Sequence, residues 1–306
     1  MKDDATITEK VLKFFRGEKR SILFSLSPSL LWYAVFLTAP LVLVVMISFW
    51  RTEDVILIPT FTLEHYTTFF TKYGGRGQLL YVELLLKSIG MAAAVTAGAI
   101  ALGYPAAYYL SFKTKIPKYT LLFILMGPYL ASYLIIIFSL RFLILGHNGL
   151  VNALLINLGL ITEPLGWLMH NQYAVIFVLI QSWTPWLILP MFASLEKIDK
   201  TLLEAAADLG ASPMQTFRKV TLPLSMPGVL VAVLFVFIPS VGEFITANLV
   251  GGTSGYMIGN IIQKLFQRGY TWPLAAAVTI MMMIVTLIGV FILLRKVSLE
   301  QIMESL

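Results

Sequence analysis

The chain has 306 residues, of which 58% are hydrophobic and 12% charged, and its mean hydropathy is +0.84. Ordinary soluble domains carry about 25% charged residues, so the composition indicates a polytopic membrane protein. The absence of cysteine excludes disulfides, thiolate metal sites and cysteine nucleophiles. A net charge of +6 fits basic loops on the cytoplasmic side of a membrane protein better than nucleic-acid binding.

The first half of the chain predicts three membrane spans. Residues 1–20 are basic with interleaved apolar side chains, which predicts a cytoplasmic amphipathic segment at the membrane surface. The uncharged run that follows is longer than the roughly 20 residues needed to cross a bilayer, and it predicts an uncleaved first span. A polar, glycine-bearing stretch over 51–80 predicts a loop. The spans are predicted at 22–50, 81–112 and 119–145, the last interrupted by Gly127 and Pro128.

The second half predicts three more spans, which complete an all-α membrane domain over residues 21–295. A polar cytoplasmic loop at 196–222 separates the first two of them. A short cytoplasmic tail is predicted at 296–306. The spans are predicted at 172–195, 223–250 and 274–294, with outer loops at 146–171 and 251–273.

Lysine and arginine positions predict that both chain termini lie inside the cell. Fifteen of the 22 basic residues fall in the segments that this topology places in the cytoplasm, and seven fall elsewhere. Cytoplasmic loops of membrane proteins carry such an excess of positive charge. The loop 196–222 is therefore predicted to be cytoplasmic.

This cytoplasmic loop predicts two short helices separated by a sharp turn. Thr201 and Glu204 have the spacing of a capping box, and Gly210 suits the left-handed residue that ends a helix. The sequence 212–215 (Ser-Pro-Met-Gln) then predicts a second capped start. The apolar face of the first helix is predicted to comprise Leu202, Leu203, Ala206 and Leu209.

No catalytic or metal-binding pattern is recognisable. The spacing of His65, His147 and His170 fits no common zinc motif, and all three fall in outer loops. No phosphate-binding loop of the type G-x-x-x-x-G-K-[ST] occurs. The chain is therefore predicted to be non-catalytic, and any use of nucleotide energy requires another subunit.

The polar loop resembles the cytoplasmic loop of permease subunits of bacterial ATP-binding-cassette (ABC) importers. The matching positions are Glu204, Ala205, Ala206, Gly210, Leu222 and Pro223. In that family the loop forms a coupling helix that binds a cleft of the ATPase subunit, and the resemblance implies this role for residues 202–210. Small alanines permit close contact, and a projecting carboxylate offers a charged hydrogen bond. A competing interpretation is that Glu204 only caps its own helix.

Further segments resemble the spermidine/putrescine permease group. They are residues 103–106, 194–200, 226–228, 237–244, 257–260 and 272–273. The likeness covers about 25–295 and implies a type I importer permease fold in the bacterial inner membrane. It also implies four kinds of partner: the lipid bilayer, a homologous second permease, two subunits that bind ATP and Mg²⁺, and a periplasmic or lipid-anchored solute-binding protein.

Several polar and aromatic residues within the spans are candidates for a substrate path. Glu243 is costly in a membrane unless it faces a polar cavity or a partner, and it suits a cationic substrate. Packing against the second permease is the alternative. The other candidates are Trp183, Trp186, Arg141 and Tyr133. The tryptophans suit stacking on an alkylammonium group or simple helix packing. Arg141 suits either snorkelling or a substrate carboxylate, which would favour a zwitterionic solute.

The sequence thus predicts a permease subunit that forms half of a path for a polyamine or related small cationic or zwitterionic solute. A stand-alone secondary transporter is the alternative, although six spans without a visible inverted repeat argue against it. An intramembrane enzyme is a third class, for which no nucleophile, base or metal set is apparent.

Overall fold

The computed structural model describes residues 26–53, 56–74, 79–145, 149–165 and 170–295. The predicted amphipathic segment 1–20, the tail 296–306 and His147 lie outside the described residues. Within the described ranges the chain is helical except for one antiparallel hairpin and the connecting loops.

The helices and strands are numbered in chain order. They are α1 (Leu26–Ile47), β1 (Arg51–Glu53), β2 (Ile56–Ile58), α2 (Glu64–Thr71), α3 (Leu80–Phe112), α4 (Lys118–Met126), α5 (Tyr133–Leu140), α6 (Leu150–Asn157), α7 (Gln172–Glu196), α8 (Lys200–Asp208), α9 (Pro213–Val241), α10 (Ile245–Val250), α11 (Ile258–Gln267) and α12 (Trp272–Arg295). A 3₁₀ turn at Gly127–Leu130 extends α4, and a π-helical turn at Arg141–Leu145 extends α5.

Five of these helices are long and apolar enough to cross a membrane, namely α1, α3, α7, α9 and the last helix with its leading turn. The sixth predicted span is broken. Its two halves, Lys118–Leu130 and Tyr133–Leu143, meet at an angle of 85° and make one crossing only if the bent pair is counted as a single span. Pro128 lies in the 3₁₀ turn before the bend, where a missing backbone N–H and ring sterics oppose a regular helix.

The centre of the fold is a bundle of α3, α7 and α9. Small side chains on α3 allow the helices to approach closely, as the sequence predicts: Ala92, Ala99 and Ala107 are fully buried. A Cβ atom added at Gly103 would lie 2.8 Å from a methyl carbon of Leu187 on α7. The bundle is therefore stabilised by close van der Waals contact between spans.

The structure corrects two predicted boundaries. The fifth span was expected at 223–250, but α9 begins earlier, at Pro213, and ends at Val241, so the second short helix of the cytoplasmic loop is continuous with the span. A π-helical turn at Phe217–Thr221 joins the two parts. The stretch 51–80, expected to be a loop, contains the β1–β2 hairpin and α2. The hairpin and α2 are short and lie outside the long apolar runs. The hydropathy pattern that predicts the spans therefore does not detect them.

We expect Gly228→Ala to destabilise the bundle. A Cβ at Gly228 would lie 2.5 Å from the carbonyl oxygen of Pro190 and would also overlap Cβ of Ser194, so α9 and α7 must separate. Overpacking of this kind costs about 1–3 kcal/mol. Thermal melting of the detergent-purified chain measures the effect. Gly90→Ala is the matched control, because nothing lies within 4 Å of its added Cβ, and an unchanged melting temperature for Gly228→Ala would contradict the prediction.

Candidate functional site

The first candidate site is the exposed helix α8, and its N-terminus differs from the predicted one. The N-cap is Asp199, whose carboxylate accepts a hydrogen bond of 3.0 Å from the Thr201 backbone N–H. This backbone hydrogen bond holds the pKa of Asp199 below its usual value. The predicted capping box of Thr201 and Glu204 is therefore wrong. Asp is at least as good an N-cap as Thr, and Asp199 lies two residues before Thr201, so the helix begins two residues earlier than predicted.

The end of α8 is the sharp turn that the sequence predicts. Gly210 has φ +80°, a conformation that favours glycine. The N–H groups of Gly210 and Ala211 donate to the carbonyls of Ala207 and Ala206, the two bonds of a Schellman motif. Ser212 and Gln215 then form the predicted capping box at the start of α9, with both reciprocal bonds present.

The side chains of α8 divide into a packed side and an exposed side. Leu203 packs against the main core and Ala206 is half-buried. Leu202 and Leu209 were expected on the same apolar face, but Leu202 is 48% exposed and Leu209 is 89% exposed. Of the four predicted positions, the bundle therefore covers only Leu203 and part of Ala206.

Glu204 is exposed and makes no hydrogen bond or ion pair with any described residue. Because Asp199 supplies the cap, the interpretation that Glu204 merely caps its own helix is not supported. A carboxylate without a partner among the described residues is therefore exposed on the same short helix–turn unit as the exposed Ala205 and Leu209. An exposed leucine next to charged side chains is a feature of protein-binding surfaces.

The second candidate site surrounds Glu243, at the break between α9 and α10. The carboxyl group was expected inside a continuous span, but α9 ends two residues earlier. Glu243 is only 8% exposed, and both of its oxygens are hydrogen-bonded. The Tyr133 hydroxyl donates to one at 2.9 Å, and the Thr246 backbone N–H donates to the other at 2.9 Å. The carboxylate thus accepts a hydrogen bond from a backbone N–H in the first turn of α10 and joins this turn to α5 through Tyr133.

The structure brings Tyr133 and Glu243 together but not the other candidate path residues. Trp183 and Trp186 are half-buried on α7, and Trp183 packs against the main core. Its indole nitrogen is buried without a hydrogen-bond partner among the described residues. Arg141 lies eight residues after Tyr133, about 12 Å further along the helix axis, and within the described ranges it forms no ion pair with Glu243.

Sequence reasoning missed the polar groups that complete this region. The Thr246 hydroxyl lies 2.8 Å from the Tyr133 hydroxyl. The Asn260 amide nitrogen donates to the Phe244 carbonyl and to the Asn248 side chain. Asn260 is fully buried, and a buried amide requires hydrogen-bond partners. Its burial is known only from the structure, so the sequence could not single it out. No group of three metal-ligating side chains occurs among the described residues.

The described residues thus form a bundle of five membrane-length helices and one bent pair, with an exposed capped helix at one end. The chain belongs to the family described as binding-protein-dependent transport system inner membrane component, whose model matches residues 21–297. It is therefore the inner-membrane permease component of an importer, and the predicted resemblance to the spermidine/putrescine permease group is confirmed.

Similarity to known proteins extends over most of the chain. It is 36% identical over 255 residues to the spermidine/putrescine transport system permease protein PotB of Escherichia coli, covering 83% of this chain and 90% of that protein. It is 35% identical over 281 residues to PotB of Haemophilus influenzae, covering 88% and 94%. The fold matches a bacterial alginate ABC transporter solved with a periplasmic protein bound to an alginate pentasaccharide, with a TM-score of 0.68, 20% identity and coverage of 91% and 94%.

Proposed function

We propose that α8 and the Gly210 turn form the docking site for a separate ATP-hydrolysing subunit. The observation that carries the proposal is that α8 is capped and ordered by its own backbone hydrogen bonds, yet leaves Glu204 without a partner among the described residues and Leu209 89% exposed. The proposed docking residues are Leu202, Leu203, Glu204, Ala205, Ala206, Leu209 and Gly210. The half-buried Leu203 packs against the main core of the bundle. Movement of α8 therefore also moves α7 and α9.

The proposed topology places both termini and α8 in the cytoplasm. The Lys113–Lys118 turn lies at the same end of the bundle as α8, because Lys118 reaches Glu196 just before α8. This end collects basic residues from both loops, which supports its cytoplasmic assignment. The segment α10–α11 then belongs to the outer end.

The proposed assembly contains a homologous second permease, two ATP-binding subunits that hold ATP and Mg²⁺, and a periplasmic or lipid-anchored solute-binding protein. The family's dependence on a binding protein supports the last of these. The absence of a phosphate-binding loop in the sequence supports a separate nucleotide-binding subunit. We propose that this chain itself holds no cofactor.

The proposed substrate is a polyamine or a related small cationic or zwitterionic solute. The 36% identity to a spermidine/putrescine permease over 83% of the chain supports this class. The proposed path residues are Glu243, Tyr133, Trp183, Trp186 and Arg141. A carboxylate bridged to a phenol at the break of two spans offers the negative charge that a polyamine requires.

We expect cells that carry the complete transport system, and lack other polyamine importers, to accumulate radiolabelled putrescine or spermidine only when this chain is present. Uptake and its inhibition by unlabelled polyamines and by zwitterionic amino acids are the measurements. Inhibition by zwitterionic amino acids but not by polyamines would change the proposed substrate from a polyamine to a zwitterionic solute. ATP-independent uptake by the purified chain alone would overturn the proposed role in favour of a secondary transporter.

A further inference from the structure

The structure contains a polar clamp between the third and fourth spans, at the end of the bundle that carries α8. Glu196 is the last residue of α7. Its carboxylate lies 3.4 Å from the Lys118 amino group and accepts a hydrogen bond of 3.1 Å from the Tyr119 hydroxyl. The Tyr119 ring also meets the Phe192 ring edge-on, with centroids 6.1 Å apart. Three contacts therefore join the first two residues of α4 to the last turn of α7.

The clamp is one of the contacts that hold α4 against α7. None of the residues of α4 is buried, and Phe123 is 71% exposed. Its apolar contacts with the main core come from Leu121 and Leu122. Lys118 begins the helix, where a positive charge is unfavourable, so the Glu196 carboxylate also offsets the charge at this terminus.

Glu196 is also directly connected to α8. Asp199, the N-cap of α8, follows it by three residues, and the buried Ile198 between them anchors this short segment. At its other end α4 leads into the 85° bend, beyond which Tyr133 donates to Glu243. A continuous set of contacts thus runs from α8 through Glu196 and the bent span to Glu243.

We propose that Glu196 is a positioning residue that transmits movement of α8 to the bent third span. This inference rests on the proposed docking of an ATPase on α8. Displacement of α8 moves Glu196, and the Lys118 and Tyr119 contacts carry α4 with it. No residue of α4 is buried, so α4 follows the clamp. Gln181 of α7 donates a hydrogen bond of 2.6 Å to the Tyr129 hydroxyl in the following 3₁₀ turn, so movement at the start of α4 changes the angle at the bend. The Glu196 clamp lies on one side of the bend and the Tyr133–Glu243 hydrogen bond on the other. Together they link ATP-driven movement to the Glu243 region.

Glu196→Gln in the complete transport complex tests this role, with Glu163→Gln on an exposed outer loop as the matched control. We expect Glu196→Gln to lower uptake by about fivefold or more, the usual range for loss of coupling between sites, and the control to leave uptake unchanged. Copurification of the ATPase is expected to stay normal. Loss of copurification in the unsubstituted complex would instead contradict the proposed function.

A second readout separates transmission from simple stabilisation. The chain has no cysteine, so Phe123→Cys introduces a single labelling site on α4. We expect its maleimide labelling rate to change when ATP and vanadate are added, and this change to disappear with Glu196→Gln. The charge-swapped pair Lys118→Glu and Glu196→Lys restores at least half of the uptake if the ion pair carries the transmission. Unchanged uptake and labelling in Glu196→Gln, or no recovery in the swapped pair, would overturn the proposal.

Discussion

Glu204→Arg is expected to detach the ATPase subunit and abolish uptake, while the chain still folds and inserts. Glu204 is exposed and has no partner within the described chain, so its replacement leaves no internal group unsatisfied. Truncation of one member of an interface charge pair costs about 2 kcal/mol or more, and 2 kcal/mol corresponds to roughly 30-fold weaker binding. Copurification of the tagged chain with the ATPase, and ATP-dependent uptake in the same membranes, measure the effect.

Glu64→Arg is the matched control, since it makes the same charge change at the exposed start of α2. It is expected to leave ATPase association unchanged. Leu209→Asp provides an independent test of the same surface, because it removes the 89% exposed apolar side chain rather than the charge. Normal ATPase association in Glu204→Arg would refute the docking role of α8.

Glu243→Gln is expected to reduce polyamine uptake by about tenfold, equivalent to about 1.4 kcal/mol, with ATPase association retained. The substitution keeps the size of the side chain but removes its charge. The amide nitrogen also cannot accept a hydrogen bond, so either the Tyr133 hydroxyl or the Thr246 N–H loses its acceptor. Uptake kinetics with putrescine and the melting temperature of the purified chain are the two measurements.

Tyr133→Phe separates the charge of Glu243 from its structural role. It removes the hydrogen bond to Glu243 but leaves the carboxylate charged and still bonded to the Thr246 N–H. We expect Tyr133→Phe to lower the maximal rate of uptake, because the contact that links α5 to Glu243 is lost, but to leave the apparent affinity for putrescine nearly unchanged if Glu243 attracts a cationic substrate. If both variants reduce uptake and melting temperature equally, Glu243 is a structural cap of α10 and its assignment to the path is wrong.

The membrane class and the chemistry of the α8 loop followed from local sequence because their causes are local. An apolar run longer than a bilayer requires no knowledge of neighbouring helices, and the small residues of α3 marked a close-packed face that the structure confirms. Gly210 and the Ser212–Gln215 capping box also depend only on residues within one turn. The Asp199 cap was missed because Asp199 and Thr201 are both good caps, and only the backbone conformation decides between them.

The sequence by itself therefore determined the class of protein, the approximate spans, the turn after α8 and the need for another subunit to supply ATP hydrolysis. Tertiary structure decided which polar groups meet. The Tyr133–Glu243 and Lys118–Glu196 contacts join residues 110 and 78 positions apart, and nothing in local spacing favours either pair. They form because two helix breaks and two helix ends coincide in the packed bundle, where a polar group removed from water requires a partner that only a distant segment supplies.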